Sequence, residues 1–170
     1  VTQHDVKAVE YFLKKRLAEI APDDPQLAEL IHFCCTSEDI NNLSYALMVR
    51  GAVRDVWLPK AQSVLDLVAT MARDLRDVPL LAHTHGQPAT PTTLGKELAV
   101  LAYRLGRQLR RVEKAEYLGK FNGATGTFGA HLLAVPAADW PALSRSFVEG
   151  LGLTWNPLTT QIESHDWQAE

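Results

Sequence analysis

Thr84-His85-Gly86-Gln87-Pro88-Ala89-Thr90-Pro91 gathers a titratable ring, hydroxyls, an amide and a backbone hinge into one short stretch. Histidine is the side chain whose unperturbed titration lies nearest neutrality, so a residue such as His85 suits proton donation or acceptance at working pH. Gly86 admits a backbone conformation closed to residues with a Cβ, and Pro88 and Pro91 stiffen the chain and forbid a helix through this point. The same stretch also suits a hydrogen-bonded loop histidine with no chemical role. His83 and His85 form an H-x-H pair after a possible strand, a spacing found in metal-dependent hydrolases. The chain lacks the alternating strands and helices that such barrels need.

Three further segments place polar groups where helical patterns begin: residues 2–5, 36–39 and 90–93. A helix N-terminus carries unpaired N–H groups and partial positive charge, and so favours a carboxylate or phosphate. Converging N-termini would make an anion site, whereas plain capping explains each segment separately. Residues 119–129 are glycine-rich, but match neither the G-x-G-x-x-G nor the Walker lysine spacing. A turn or a close backbone approach between helices is the better reading. His32 and His131 read as local structural residues.

The elements that must position these groups are helices. Thr2-Gln3-His4-Asp5 has the form of a capping box before the apolar positions Val6, Val9, Phe12, Leu13 and Leu17. Asp24 and Pro25 can open a short helix through residues 26–33. Thr36-Ser37-Glu38-Asp39 is a second capping box, and from Ile40 to Leu75 apolar residues recur at steps of three and four. A helix continuous to about Asp77 would run ~60 Å, with Pro59 expected to kink or split it. Leu94, Leu98, Leu101, Leu105, Leu109 and Val112 mark another long helix whose stripe needs partners. Asp139-Trp140-Pro141 should start a helix that ends at Gly150 or Gly152, and His165-Asp166 a last one. Val78-Pro79-Leu80-Leu81-Ala82 is the one plausible strand. The pattern predicts an all-α, long-helix bundle in which the helices pack against other copies of the chain.

With 170 residues the chain can bury one substantial core, and a single region spanning 1–170 is expected. The formal net charge of −3, without a long basic run, gives no electrostatic support to a nucleic-acid or membrane-surface role. Arg104, Arg107, Arg110 and Arg111 read as a solvated helix face. No apolar run approaches the ~20 residues of a membrane span, and no signal-peptide pattern is present, so a cytoplasmic protein is expected. Cys34 and Cys35, adjacent in sequence, read as reduced and packed.

Taken together, His4-Asp5-Val6-Lys7-Ala8-Val9-Glu10-Tyr11, Thr36-Ser37-Glu38-Asp39-Ile40-Asn41-Asn42, Thr84-His85-Gly86-Gln87-Pro88-Ala89 and Thr160-Gln161-Ile162-Glu163 with His165-Asp166 resemble the adenylosuccinate lyase branch of the fumarase/aspartase superfamily. The resemblance runs in order along nearly the whole chain. It implies part of a central helical domain and a β-elimination that releases fumarate from succinyl-purine nucleotides, without metal or organic cofactor. It implies His85 as general acid for the departing nitrogen, with Thr36 and Ser37 holding a succinyl carboxylate through hydroxyl and backbone donors. Gln3, His4 and Asp5 match the first substrate-contacting segment, although many relatives have Asn or Arg in place of Gln3. Gln161 matches a substrate-binding glutamine, and Lys120 and Asn122 would shape the site without assigned roles. A homotetramer with each site built from several subunits is also implied. The family's base is a serine in a Gly-Ser-Ser, Met-Pro-x-Lys-x-Asn loop, and no such stretch occurs here. The 170 residues are therefore expected to be a central piece lacking the base, the small N-terminal domain and the C-terminal helices, and inactive or nearly so alone. Two other readings stand beside this: a non-catalytic helical oligomerisation scaffold derived from the enzyme, and a metal-dependent hydrolase using His83 and His85.

Overall fold

A computed structural model describes residues 4–169. In chain order the elements are α1 (Asp5–Ile20), α2 (Leu27–Leu30), α3 (Ser37–Gly51), a π-helical segment (Ala52–Trp57), α4 (Leu58–Asp74), β1 (Pro79–Thr84), β2 (Gln87–Thr93), α5 (Leu94–Glu113), β3 (Leu118–Gly119), α6 (Gly129–Ala134), α7 (Trp140–Gly150), β4 (Thr154–Trp155) and a closing 3-10 turn (Asp166–Ala169). The helical bundle expected of the pattern is present, and two small sheets are added to it. The chain divides into two compact units, one made of the residues to Val49 and from Glu116 on, the other Arg50–Ala115.

The first unit is centred on Leu43, Ala46, Tyr117, Val148, Leu153 and Trp167, with Leu47, Phe121 and Trp155 packed against them. Parallel pairing of Leu118 with Thr154 and of Gly119 with Trp155 joins β3 to β4. Asp139 caps α7 by accepting the Ala142 N–H at 3.1 Å, and the helix ends where the chain turns at Gly152, φ +76°. These are the boundaries its sequence predicts. The expected cap at Thr2 falls outside the described residues; at Asp5 the cap is His4, whose Nδ1 accepts the Lys7 N–H at 3.3 Å. Residues 26–33 form less helix than expected, only Leu27–Leu30, and no side chain caps it. His131 is fully buried, edge-on to Trp140 at 4.8 Å and to Phe128 at 5.5 Å between ring centres. Desolvation there pushes its titration below the usual imidazole range.

In the second unit, Pro59 neither splits nor ends the helical run. The six residues before α4 widen into a π-helix instead. A proline ring clashes with the carbonyl four residues earlier, and i to i+5 bonding moves that carbonyl aside. The loop expected around His85 is a β-hairpin: β1 pairs antiparallel with β2, from Pro79 opposite Thr93 to Thr84 opposite Gln87. His85 and Gly86 form its two-residue turn with φ of +50° and +75°, the signature of a type I′ turn. Pro88 and Pro91 lie within β2, which a two-stranded sheet tolerates because each strand has an open edge. Thr93 then caps α5, accepting the Lys96 N–H at 3.2 Å.

The buried line of α5 is Gly95, Ala102, Gly106 and Leu109, so small residues let it approach α4 closely. Leu101, expected in the apolar stripe, is 53% exposed, along with Tyr103 at 69%. At Gly95 a Cβ would run into the backbone of Ala72 and Arg76. Gly95→Ala should therefore force the end of α4 and the start of α5 apart, lowering stability by about 1–3 kcal/mol. Urea unfolding of the two proteins measures this, and an alanine variant as stable as the parent would contradict the close approach.

Candidate active site

The start of α3 is where candidate residues meet. The capping box forms as its sequence predicts, with the Thr36 N–H donating to Asp39 Oδ2 at 2.9 Å. That bond uses one of the backbone donors expected to face a substrate. The N–H groups of Ser37 and Glu38, with the two hydroxyls, remain for an anion.

His4 lies beside this helix start, its Nε2 3.4 Å from Ser37 Oγ. Because Nδ1 accepts the Lys7 N–H, the neutral ring carries its proton on Nε2 and donates to Ser37, leaving the serine hydroxyl free to donate outward. On the other flank, Gln161 Nε2 donates to Thr36 Oγ1 at 3.5 Å. Segments 33 and 125 residues distant in sequence thus converge on one helix N-terminus. An open recess of about 460 Å³ beside Gln161 is lined by Leu158, Thr159, Thr160, Ile162 and Ser164. Asp5 is exposed, accepts the Val6 N–H at 2.8 Å and lies 3.6 Å from His4 Nδ1, so it stabilises the first turn of α1. Gln3 lies outside the described residues. His85 sits in the second unit, exposed at the hairpin turn. His83 pairs with Pro88 across the same hairpin, and among the described residues no group of three His, Cys, Asp or Glu could hold a metal ion.

Three buried acidic groups set this geometry. Glu10, the buried residue of α1, joins His32 Nδ1 at 2.6 Å, Lys7 Nζ at 2.7 Å and Lys14 Nζ at 3.3 Å. It thereby ties α1, which carries His4, to the segment leading into α3. Glu163 accepts from Asn156 Nδ2 at 3.0 Å, the His165 N–H at 2.8 Å and Trp167 Nε1 at 3.1 Å, which folds the loop bearing Gln161. Asp39 pairs with Lys120 at 2.9 Å, both fully buried. Cys35 next to this pair has its thiol pushed up to about 12, by burial and by the nearby Asp39, so it is inert as a nucleophile.

In the sequence Glu163 stands only as part of a motif, Lys120 carries no assigned role and His32 reads as a local structural residue. Asp39 alone had a usable signal, as the fourth residue of its capping box. A lysine beside glycines reads as solvated, and nothing in a sequence pairs Glu10 with His32 across 22 residues.

Comparison with known proteins gives this helical architecture a family. A family described as lyase matches residues 1–170, and the chain belongs to it. It is 56% identical over 169 residues to the adenylosuccinate lyase of Escherichia coli K12, and 53% identical over 170 residues to that of Vibrio cholerae. Each match covers 99% of this chain and 37% of the relative, so the chain spans just over a third of their length. Among solved structures, the 3-carboxy-cis,cis-muconate lactonizing enzyme from Pseudomonas putida superposes with a TM-score of 0.65 at 26% identity, over 91% of this chain and 37% of that one.

The Glu10 cluster has a pH signature. The Lys7 ammonium donating to the carboxylate, aided by His32 and Lys14, outweighs desolvation and holds Glu10 at about 2, against 4.5 for an ordinary glutamate. A depressed carboxylate stabilises the folded state above its unfolded value and loses that contribution as the pH falls through the folded one. Glu10→Gln should melt below the parent by a constant margin above about pH 5, and the margin should close between 4.5 and about 2. Thermal unfolding across that range checks the sign; a margin that widens with acid would refute the assignment.

Proposed function

We propose that the protein carrying this chain is an adenylosuccinate lyase of purine nucleotide biosynthesis. It would eliminate fumarate from adenylosuccinate to leave AMP, and from the succinyl-imidazole-carboxamide nucleotide SAICAR to leave AICAR. The observation that carries this reading is the convergence of His4, Ser37, Thr36 and Gln161 on the N-terminus of α3, in a chain 56% identical to an enzyme of that name.

The chemistry fits these groups. Elimination removes a proton from the carbon next to a succinyl carboxylate, so negative charge builds on that carboxylate before the C–N bond breaks. A helix start with two hydroxyls and unused N–H groups suits the other succinyl carboxylate, whose charge is the same before and after proton removal. His4 holds Ser37 as a donor, and Gln161 adds a carboxamide beside Thr36. The departing nitrogen needs a proton, and His85 is the proposed donor. Its hairpin turn would serve a site completed by other copies of the chain. The serine base of the family's signature loop has no counterpart among these residues, so this chain by itself should not turn over. The proposed assembly is a cytoplasmic homotetramer; exposed Leu67, Leu101 and Tyr103 on α4 and α5 supply apolar surface for it. Self-association in sedimentation velocity is the expected result, and a monodisperse monomer at high concentration would count against it.

Fumarate release from adenylosuccinate tests the reading, by this chain and by a longer one with the flanking segments of its relatives. Only the longer chain should work, and His85→Ala should slow it by roughly 10² to 10⁴. Full activity of the substituted protein would leave the enzyme reading standing and remove His85 as the acid. No release by the longer chain would remove the reading itself.

A further inference from the structure

A fully buried cluster of polar groups lies behind Thr36, outside the set proposed to touch substrate. The Asp39 carboxylate receives the Thr36 N–H at 2.9 Å, the Asn122 N–H at 3.1 Å and the Gly123 N–H at 3.1 Å, besides the Lys120 ammonium at 2.9 Å. Lys120 Nζ donates as well to the Gly123 carbonyl at 3.1 Å. Asn42 locks the lysine's backbone, taking its N–H at 2.8 Å and donating to its carbonyl at 3.0 Å. From the far side of this cluster Asn122 Nδ2 donates to Thr159 Oγ1 at 2.8 Å, two residues before Gln161. One carboxylate therefore joins the start of α3, the glycine-rich segment and the loop that carries Gln161.

Capping does not require this. A carboxylate three residues into a helix caps from the surface, in water. Burying it completely and setting a buried ammonium against it carries a desolvation cost, which well-packed apolar residues would avoid with equal or better stability. Burial does supply rigidity: in a low-dielectric interior, with four donors converging, the carboxylate cannot shift without leaving a charge unpaired.

Resting on the active-site reading above, we infer that Asp39 and Lys120 are positioning residues, a strut that fixes Thr36 against Gln161 so that the carboxylate-binding donors are in place before substrate arrives. Neither residue touches substrate. The strut acts on binding of a group held alike in ground and transition states, so its loss appears in KM rather than kcat.

The test uses the longer, active chain and three variants: Asp39→Asn, Lys120→Met and the two combined. Each single change strands a buried charge and lowers Tm, whereas the combination removes both charges at similar volume and regains part of the loss, the amide introduced at position 39 leaving a backbone N–H without its acceptor. Despite that recovery, the double variant should show KM for adenylosuccinate raised about tenfold or more with kcat within roughly threefold. Its Thr36 and Gly123 amides should exchange hydrogen at least about ten times faster than in the parent, while the Val148 amide in the core is unchanged. A double variant with parental Tm, KM and amide exchange overturns the strut and leaves the enzyme reading intact. If the parent releases no fumarate, the enzyme reading falls, and amide exchange in the double variant still decides the strut. Should the double variant not fold, Thr159→Val carries the test at a partly exposed position. It removes the acceptor for Asn122, and KM should rise about threefold at unchanged Tm; an unchanged KM overturns the proposal.

Discussion

A carboxylate taken wholly out of water must be surrounded by donors, and the first unit is arranged around meeting that requirement for Asp39. Its donors come from its own helix, from Lys120 and from the backbone of Asn122 and Gly123, which lie more than 80 residues further along the chain. Satisfying one buried anion obliges the glycine-rich segment to lie against the start of α3. Once it does, Ser144 can donate to the Phe121 carbonyl at 2.6 Å and Trp155 to Ser144 at 3.1 Å, so the same segment is held on α7 and β4 as well. The apolar cluster around Leu43 and Val148 supplies the burial that makes the requirement strict.

The helix start that results is suited to a carboxylate ligand because its own needs are only partly met. Asp39 satisfies Thr36, and His4 and Gln161 come to the hydroxyls from opposite flanks at the long distances of 3.4 and 3.5 Å. Such contacts are weak enough to be exchanged for a ligand's oxygens. The groups behind them are not weak: Glu10 and Glu163 each hold several short, charge-assisted or buried bonds. Rigid support beneath adaptable contacts is the arrangement that holds a charged group in one place.

The proposed acid side is built differently. His85 owes its position to a two-residue type I′ turn and to a hairpin stiffened by two prolines, not to burial. A tight hairpin fixes the backbone of a residue at its turn while leaving the side chain in solvent. In the proposed assembly a neighbouring copy would desolvate it. The small-residue seam of α5 contributes to the same end, since Gly95, Ala102 and Gly106 allow α4 and α5 to lie close and turn large apolar side chains such as Leu101 outward.

Local rules account for what the sequence by itself determined. Helix periodicity, the caps at Thr36 and Asp139 and the stop near Gly150 depend on residues within one or two turns, and each lies where its pattern predicts. The lyase family was legible too, because it is carried by short contiguous motifs. Tertiary structure decided the rest. Pro59 could be read as a kink or a break, but widening into a π-helix depends on how neighbouring turns accommodate the ring. The segment 87–93 became a strand because β1 lies alongside it, although two prolines argue against one. Above all, no local pattern could bring Lys120 to Asp39 or His32 to Glu10. A buried charge chooses its partner by which segments the folded core brings within about 3 Å, and that distance is a property of the whole fold rather than of any stretch of the chain.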